Sequence, residues 1–292
     1  MKNRLARGYI LAFVLIVLVV VLIFAGFGRK SRDSISASGP RIGVIKLDGV
    51  IISSHSIVDQ FKRMNDAKNI KAIVFRINSP GGGIAASQEI LDFVRAVRDS
   101  GKPVVASMAS VAASGGYYVA LGADTIMANP GTTTGSIGVI AEIPNFSKLM
   151  EKLGIQVAVI KSGRFKDTGS PYRSITPKER EYLQAWIDDG YDQFIKEVSR
   201  ERGLPLDSVR KLADGRVYSG AQAFQLGLID TLGGYRDAIN LAADMAGFEG
   251  EPKTVTLPER KITLFDLLTS DVRDLLQTVL PFWPRIQYKM SL

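Results

Sequence analysis

Ala72-Ile73-Val74-Phe75-Arg76-Ile77-Asn78-Ser79-Pro80-Gly81-Gly82-Gly83 is the stretch that decides the fold. Residues 72–77 are a near-continuous apolar run, the pattern of a strand covered on both faces rather than one face. Proline and three glycines stop it. Residues 85–99 follow, with Ile90, Phe93, Val94 and Val97 on one helical face. Working outward, the rhythm recurs. Residues 42–47 read as a strand, 57–67 as a short amphipathic helix, 104–107 as a third strand, 116–121 as a helix and 124–128 as another strand. Farther on, residues 156–160 (QVAVI) read as a strand. Thr176-Pro177-Lys178-Glu179 has a proline in the first turn and the spacing of a capping box, so it opens a helix running to about residue 202. Shorter helices are expected at 206–213, 220–226 and 236–246. Strands alternating with helices predict an α/β domain built on parallel strands, with no sign of a second core or an internal repeat.

The chain of 292 residues has room for one large domain or two small ones. Its lack of cysteine excludes disulfides, zinc–thiolate sites and thiol catalysis. The net charge of +8 comes without a basic–aromatic stripe or a nucleic-acid motif, so no nucleic-acid partner is expected. Residues 9–27 (YILAFVLIVLVVVLIFAGF) come close to the roughly 20 apolar residues that cross a bilayer as a helix. A cleaved signal peptide would have an apolar core of about 7–15 residues and a clean small-residue cleavage site, so an uncleaved, single-pass anchor is expected. Lys2, Arg4 and Arg7 precede it, which puts the N-terminus in the cytoplasm and the rest of the chain outside it. The expected organisation is residues 1–28 as N-terminus and transmembrane anchor, 29–40 as a polar linker, 41–250 as the main domain, and 251–292 as an amphipathic extension. In that extension Leu264, Leu267, Leu268, Val272, Leu275, Leu276, Val279 and Leu280 recur at helical spacing, as for packing on the body or on another subunit, the alternative being a helix lying on the bilayer.

The residues that could carry chemistry centre on Ala112-Ala113-Ser114-Gly115-Gly116-Tyr117-Tyr118. The only imidazole is His55, in a polar patch (Ser53, Ser54, Ser56) that reads as a surface loop. A hydroxyl nucleophile in this chain therefore calls for a lysine base, made neutral by desolvation. The candidates are Lys148 and Lys152 on an exposed helix face, Lys161 at a strand end, and Lys166 in a glycine-containing loop; residue chemistry alone leaves Lys161 and Lys166 equal. Two glycine-rich strand exits, at Gly81 and at Gly115, fall on the same side of a parallel sheet, where ligands bind. Their bare amides suit a developing oxyanion better than a phosphate, because the GxxxxGK[ST] pattern is absent. The plainer alternatives are a tight turn at the glycines and a helix cap at Ser114.

The apolar N-terminus, NSPGGG, ASGGYY, TGSIGVI and KSGRFKDTGSP, in that order, resemble the signal peptide peptidase A family, the S49 serine peptidases, over residues 41–246. The resemblance implies a Clp-protease/crotonase-like fold of repeated βα units that assembles into homo-oligomeric rings or domes. It assigns Ser114 as nucleophile, Lys166 rather than Lys161 as general base, Ser136 (in Gly135-Ser136-Ile137-Gly138) as the group orienting the lysine, and Gly81 and Gly115 as oxyanion-hole amides. It implies no metal or organic cofactor. The implied substrates are remnant signal peptides and other short or unfolded apolar chains at the membrane. The alternatives are a membrane protein quality-control protease with the same chemistry, a non-catalytic ring-forming scaffold, and an acyl-CoA enzyme of the same fold, for which the chain offers no CoA-site motif.

Overall fold

The computed structural model describes residues 39–257 and the backbone of residues 287–289. The expected anchor at 9–27 and the apolar repeat at 264–280 lie outside the described residues. Among the described residues no helix is long and apolar enough to cross a membrane. The elements run β1 (Arg41–Asp48), α1 (His55–Asp66), β2 (Ile70–Ser79), β3 (Gly81–Gly83), α2 (Ile84–Asp99), β4 (Val104–Ala113), α3 (Gly115–Ala120), β5 (Thr125–Ala128), β6 (Thr133–Gly135), α4 (Ser147–Lys152), α5 (Pro177–Arg202), α6 (Leu206–Leu212), β7 (Val217–Ser219), α7 (Gly220–Gln225), β8 (Thr231–Leu232), α8 (Tyr235–Met245), β9 (Thr254–Thr256) and β10 (Gln287–Lys289).

β2 lies at the heart of the sheet, as its apolar run requires. Ala72, Ile73, Val74 and Phe75 are all fully buried. Alternation divides them between two layers. Ala72 and Val74 join Ile42, Val44 and Val105 beneath Ala238, Ala242 and Ala243 of α8. On the other face Phe75 meets Phe61 of α1 edge to face, with ring centroids 5.0 Å apart. Each such aromatic contributes roughly 1.5–3 kcal/mol by leaving water. Arg76, the one charge in the run, lies over the Tyr235 ring at 5.3 Å and donates to Ser107 Oγ at 2.8 Å and the Met108 carbonyl at 3.1 Å.

The eight-stranded sheet has the order β7-β6-β4-β2-β1-β9, with β5 beside β4 and β8 beside β5. Every pairing in it is parallel except β6 with β7. This mixed sheet flanked by helices fits the Clp-protease-like α/β fold. The sheet continues past Gly250, where composition changes, because β9 pairs with β1.

Three local expectations change. β4 does not stop at residue 107. Its small residues extend the strand to Ala113, held there by β6 and by the Thr132 and Thr134 hydroxyls, which donate to the Ala109 and Ala112 carbonyls at 2.7 Å. His55 is exposed but opens α1 instead of lying in a loop. Residues 156–160 form no strand. Their apolar side chains stand in solvent, with Ile160 wholly exposed, and no strand among the described residues offers their backbone a ladder. The start of α5 is as expected: Glu179 N–H donates to Thr176 Oγ1 at 3.3 Å, and Thr176 N–H donates to the Glu179 carboxylate at 2.9 Å.

α3 is fixed from behind by Tyr117, which is fully buried and donates its hydroxyl to the Leu228 carbonyl at 2.8 Å. Tyr117→Phe should lower stability by about 1 kcal/mol, as measured by urea unfolding, while keeping the packing of the ring.

Candidate active site

Strand β4 ends and helix α3 begins at one residue, Ser114. Its backbone sits at φ 55°, ψ −119°, a conformation that costs a side-chain-bearing residue on the order of 1–3 kcal/mol. Ser136, at the end of the neighbouring strand β6, has φ 50°. Among the described residues these are the only non-glycine positions with positive φ. They are also linked: Ser114 N–H donates to the Gly135 carbonyl at 2.7 Å, and Ser136 N–H donates to the Arg216 carbonyl at 2.8 Å. Backbone strain has thus collected at two serines that the sequence had singled out.

Ser114 is fully buried, and its Oγ has no hydrogen-bond partner among the described residues. The hydroxyl does not cap α3, so the capping alternative fails here. A buried hydroxyl without a partner is costly in a folded protein.

The two glycine exits meet. A Cβ added at Gly115 would lie 2.8 Å from Ser87 Oγ, 3.1 Å from Gly82 N and 3.2 Å from Gly81 Cα. A Cβ at Gly116 would come within 2.5 Å of the Ser79 carbonyl, and one at Gly82 within 2.1 Å of the Ile51 carbonyl. Only glycine lets the start of α3 lie this close to β3 and to the end of β2, and lets β3 lie this close to Ile51. Gly81 N–H donates to Ser79 Oγ at 3.1 Å, and Ser87 Oγ donates to the Gly83 carbonyl at 2.9 Å. Ser79 and Ser87 are both fully buried and were missed in the sequence. Ser79 stands inside the NSPGGG run, which was its one available signal. Ser87 looks like any polar residue of an amphipathic helix.

The lysines separate. Lys148 and Lys152 are exposed on the short helix α4. Lys161 Nζ donates to the Asp167 carboxylate and, at 3.1 Å, to the Arg164 carbonyl. Lys166 sits in the turn closed by its own N–H to the Gly163 carbonyl at 3.1 Å. Its side chain is exposed and bonds neither Ser114 nor Ser136 among the described residues. The sequence-level picture of a desolvated Lys166 amine beside the serine is therefore not formed within the single chain. Lys102 shows that a depressed amine need not mark a site. Burial brings it down to about 8, yet it caps α1 through the Met64 and Asn65 carbonyls, both at 2.7 Å. It precedes β4, at the far end of that strand from Ser114.

The loop carrying Lys166 is tied to the start of α5. Arg173 donates to Asp167 at 2.9 Å and to the Glu179 carboxylate at 2.8 Å. The Arg173 guanidinium, with the Thr176 amide and hydroxyl, holds the Glu179 carboxyl at about 2. Arg173 and Lys161 likewise hold Asp167 well below the usual carboxylate range. A cleft of about 650 Å³ opens beside Ser136, walled by Val139, Ile187, Tyr191 and Val217. A second, of about 510 Å³, borders Gly83, Ile84 and Trp186.

Residues 96–249, which carry Ser114, Ser136 and Lys166, match the profile of peptidase family S49. The chain belongs to that family. It is a serine protease. A Synechocystis sp. protein whose name carries the word protease is 43% identical over 211 residues, 72% of this chain and 76% of its own length. An Enterococcus faecium protein whose name carries the words signal peptide peptidase SppA is 35% identical over 233 residues, 75% and 68% of the two chains. The chloroplastic serine protease SPPA of Arabidopsis thaliana is 35% identical over 237 residues, covering 80% of this chain and 35% of that longer one.

Two outcomes follow for this S49 chain. Gly116→Ala should push α3 away from the Ser79 carbonyl and lower kcat by at least tenfold with a smaller change in KM, because Ser114 moves with the helix; steady-state peptide hydrolysis reads the difference. The Glu179 carboxyl has a folded value near 2 against an ordinary 4.5, so its contribution to stability is complete above about 4.5 and is lost as pH falls toward 2. In Glu179→Gln, the decline of unfolding free energy with acid across that window should be shallower, as followed by urea titration at successive pH values.

Proposed function

We propose that this S49 protease is a membrane-anchored endopeptidase that works through a Ser114–Lys166 dyad assembled between neighbouring copies in a ring. The observation that carries the reading is the Ser114 hydroxyl: it is buried, held on a strained backbone and left without a hydrogen-bond partner among the described residues. A group in that state is prepared for a partner from outside the single chain. Lys166, exposed on an anchored loop, is the complementary half. The surface around it is apolar: Leu149, Leu153, Ile155, Val157, Val159, Ile160 and Phe165 are all exposed. An apolar patch of this kind marks a contact with another protein surface. A neighbour in a head-to-tail ring would cover it and bring its own Lys166 to the Ser114 side.

In this mechanism the neutral Lys166 amine takes the Ser114 proton as the oxygen attacks the scissile carbonyl. The Gly81 and Gly115 amides hold the oxyanion, one such donor being worth about 3 kcal/mol. Gly81 N–H, now bound to Ser79 Oγ, is freed when the Ser79 side chain turns about its Cα–Cβ bond to another rotamer. Ser136, at the cleft of about 650 Å³, orients the arriving amine. The lysine then gives its proton to the leaving amine, and water clears the acyl-enzyme. The Val139, Ile140, Ile187 and Val217 part of the cleft wall supports remnant signal peptides and other short or unfolded apolar chains as substrates. The run at residues 9–27 supports a single-pass anchor, and Lys2, Arg4 and Arg7 support a cytoplasmic N-terminus with the catalytic part outside.

Ser114→Ala and Lys166→Ala should each abolish hydrolysis of a casein or peptide substrate. Co-expressed in equal amounts, the two inactive variants should recover about a quarter of wild-type activity, since in a head-to-tail ring each site joins one serine to its neighbour's lysine at random. No recovery in a mixed assembly would place both groups of a working site on one chain.

A further inference from the structure

Asp167 follows Lys166 directly in the chain, and two cations share its carboxylate. Oδ1 accepts from Lys161 Nζ, and Oδ2 accepts from Arg173 Nε at 2.9 Å. Arg173 gives its other donors to the Asp167 carbonyl at 3.2 Å, the Ser174 carbonyl at 3.1 Å and both carboxylate oxygens of Glu179. Lys161 Nζ also holds the Arg164 carbonyl at 3.1 Å. The residues on either side of Phe165-Lys166 are thus pinned, and Phe165 stacks on Tyr182 of α5 with ring centroids 5.2 Å apart. The charges of this cluster balance: Asp167 and Glu179 bring two negative ones, Lys161 and Arg173 two positive ones. The loop's other cation besides Lys166 is Arg164, which lies over the Phe165 ring at 5.9 Å. Both Asp167 oxygens are therefore directed to Lys161 and Arg173, and neither to the adjacent Lys166. A carboxylate left unpaired beside an amine favours the protonated amine, which cannot act as a base. The effect grows once assembly has closed the surface to water.

We propose that Lys161 and Arg173 are positioning residues for the general base: by taking both oxygens of Asp167 they cancel the charge beside Lys166 and leave its amine able to accept the Ser114 proton. The inference rests on Lys166 being that base. It gives Lys161, the equal of Lys166 on residue chemistry alone, a different task, that of counter-ion. Arg173 suits its part because a guanidinium can reach two carboxylates and two carbonyls at once, which a lysine ammonium with three donors cannot. The cluster itself exchanges no proton during turnover; the proton passes from Ser114 to Lys166 and on to the leaving amine.

The test follows kcat/KM against pH for the full-length protein on a peptide without ionisable side chains, so that the acid limb reports the base of the free enzyme. Lys161→Met leaves one negative charge in excess. The ammonium is then favoured, and the acid limb should move to higher pH by about one unit. Lys161→Arg keeps the charge and should keep the wild-type limb. Asp167→Asn should move the limb to lower pH, and Lys161→Met/Asp167→Asn, balanced again, should return it to the wild-type position. A purely structural contribution would lower the rate at every pH and leave the limb in place. That result, or a shift that Asp167→Asn does not reverse, overturns the inference and leaves Lys166 as the base. If Lys161→Met does not fold, Asp167→Asn decides alone, and an unmoved limb counts against the inference. Should Lys161→Met be inactive at every pH while Lys166→Ala turns over, Lys161 is the base, and the reading beneath the inference fails with it.

Discussion

The hydrogen bond from the Ser114 amide to the Gly135 carbonyl, at 2.7 Å, is the contact on which the site depends. It locks the ends of β4 and β6 together at the point where both chains turn into unfavourable backbone geometry. Neither serine would stay at positive φ on local preference. The parallel pairing of Val111–Ala113 with Thr133–Gly135 supplies the constraint. The sheet therefore sets the direction of the Ser114 side chain, and α3 is secured from the other side through Tyr117 and Leu228.

Glycine provides the second constraint. The crossing of β3 and the end of β2 over the start of α3 leaves no room for a Cβ at Gly115 or Gly116, and the Ile51 backbone leaves none at Gly82. The crossing brings bare amides and the hydroxyls of Ser79 and Ser87 into one small volume. β3 itself has one edge bonded to Ile51 and the other paired with β10.

Much of this was legible in the sequence because it follows from local pattern. The buried strand at 72–77, the two glycine exits and the Thr176–Glu179 box depend on residues a few positions apart, and the motif order pointed to the family. Ser87 and the full length of β4 depend on partners far away in the chain, namely the Gly83 carbonyl and β6. Residues 156–160 carry a strand pattern with no strand beside them among the described residues. The same holds for Lys166: its neighbours in sequence mark it as special, and the fold of one chain leaves it outside. What sequence could not show in these cases is where a missing partner comes from.

The outward position of Lys166 has a consequence for when the enzyme is active. On the assembly reading, a lone chain holds an oxygen without a base, and a base without an oxygen. Freshly made protein is then silent while dilute, and its onset rises more steeply than its amount, because each working centre needs an encounter between copies. Assembly itself then becomes the safety catch that keeps the protease from cutting its surroundings before it is in place.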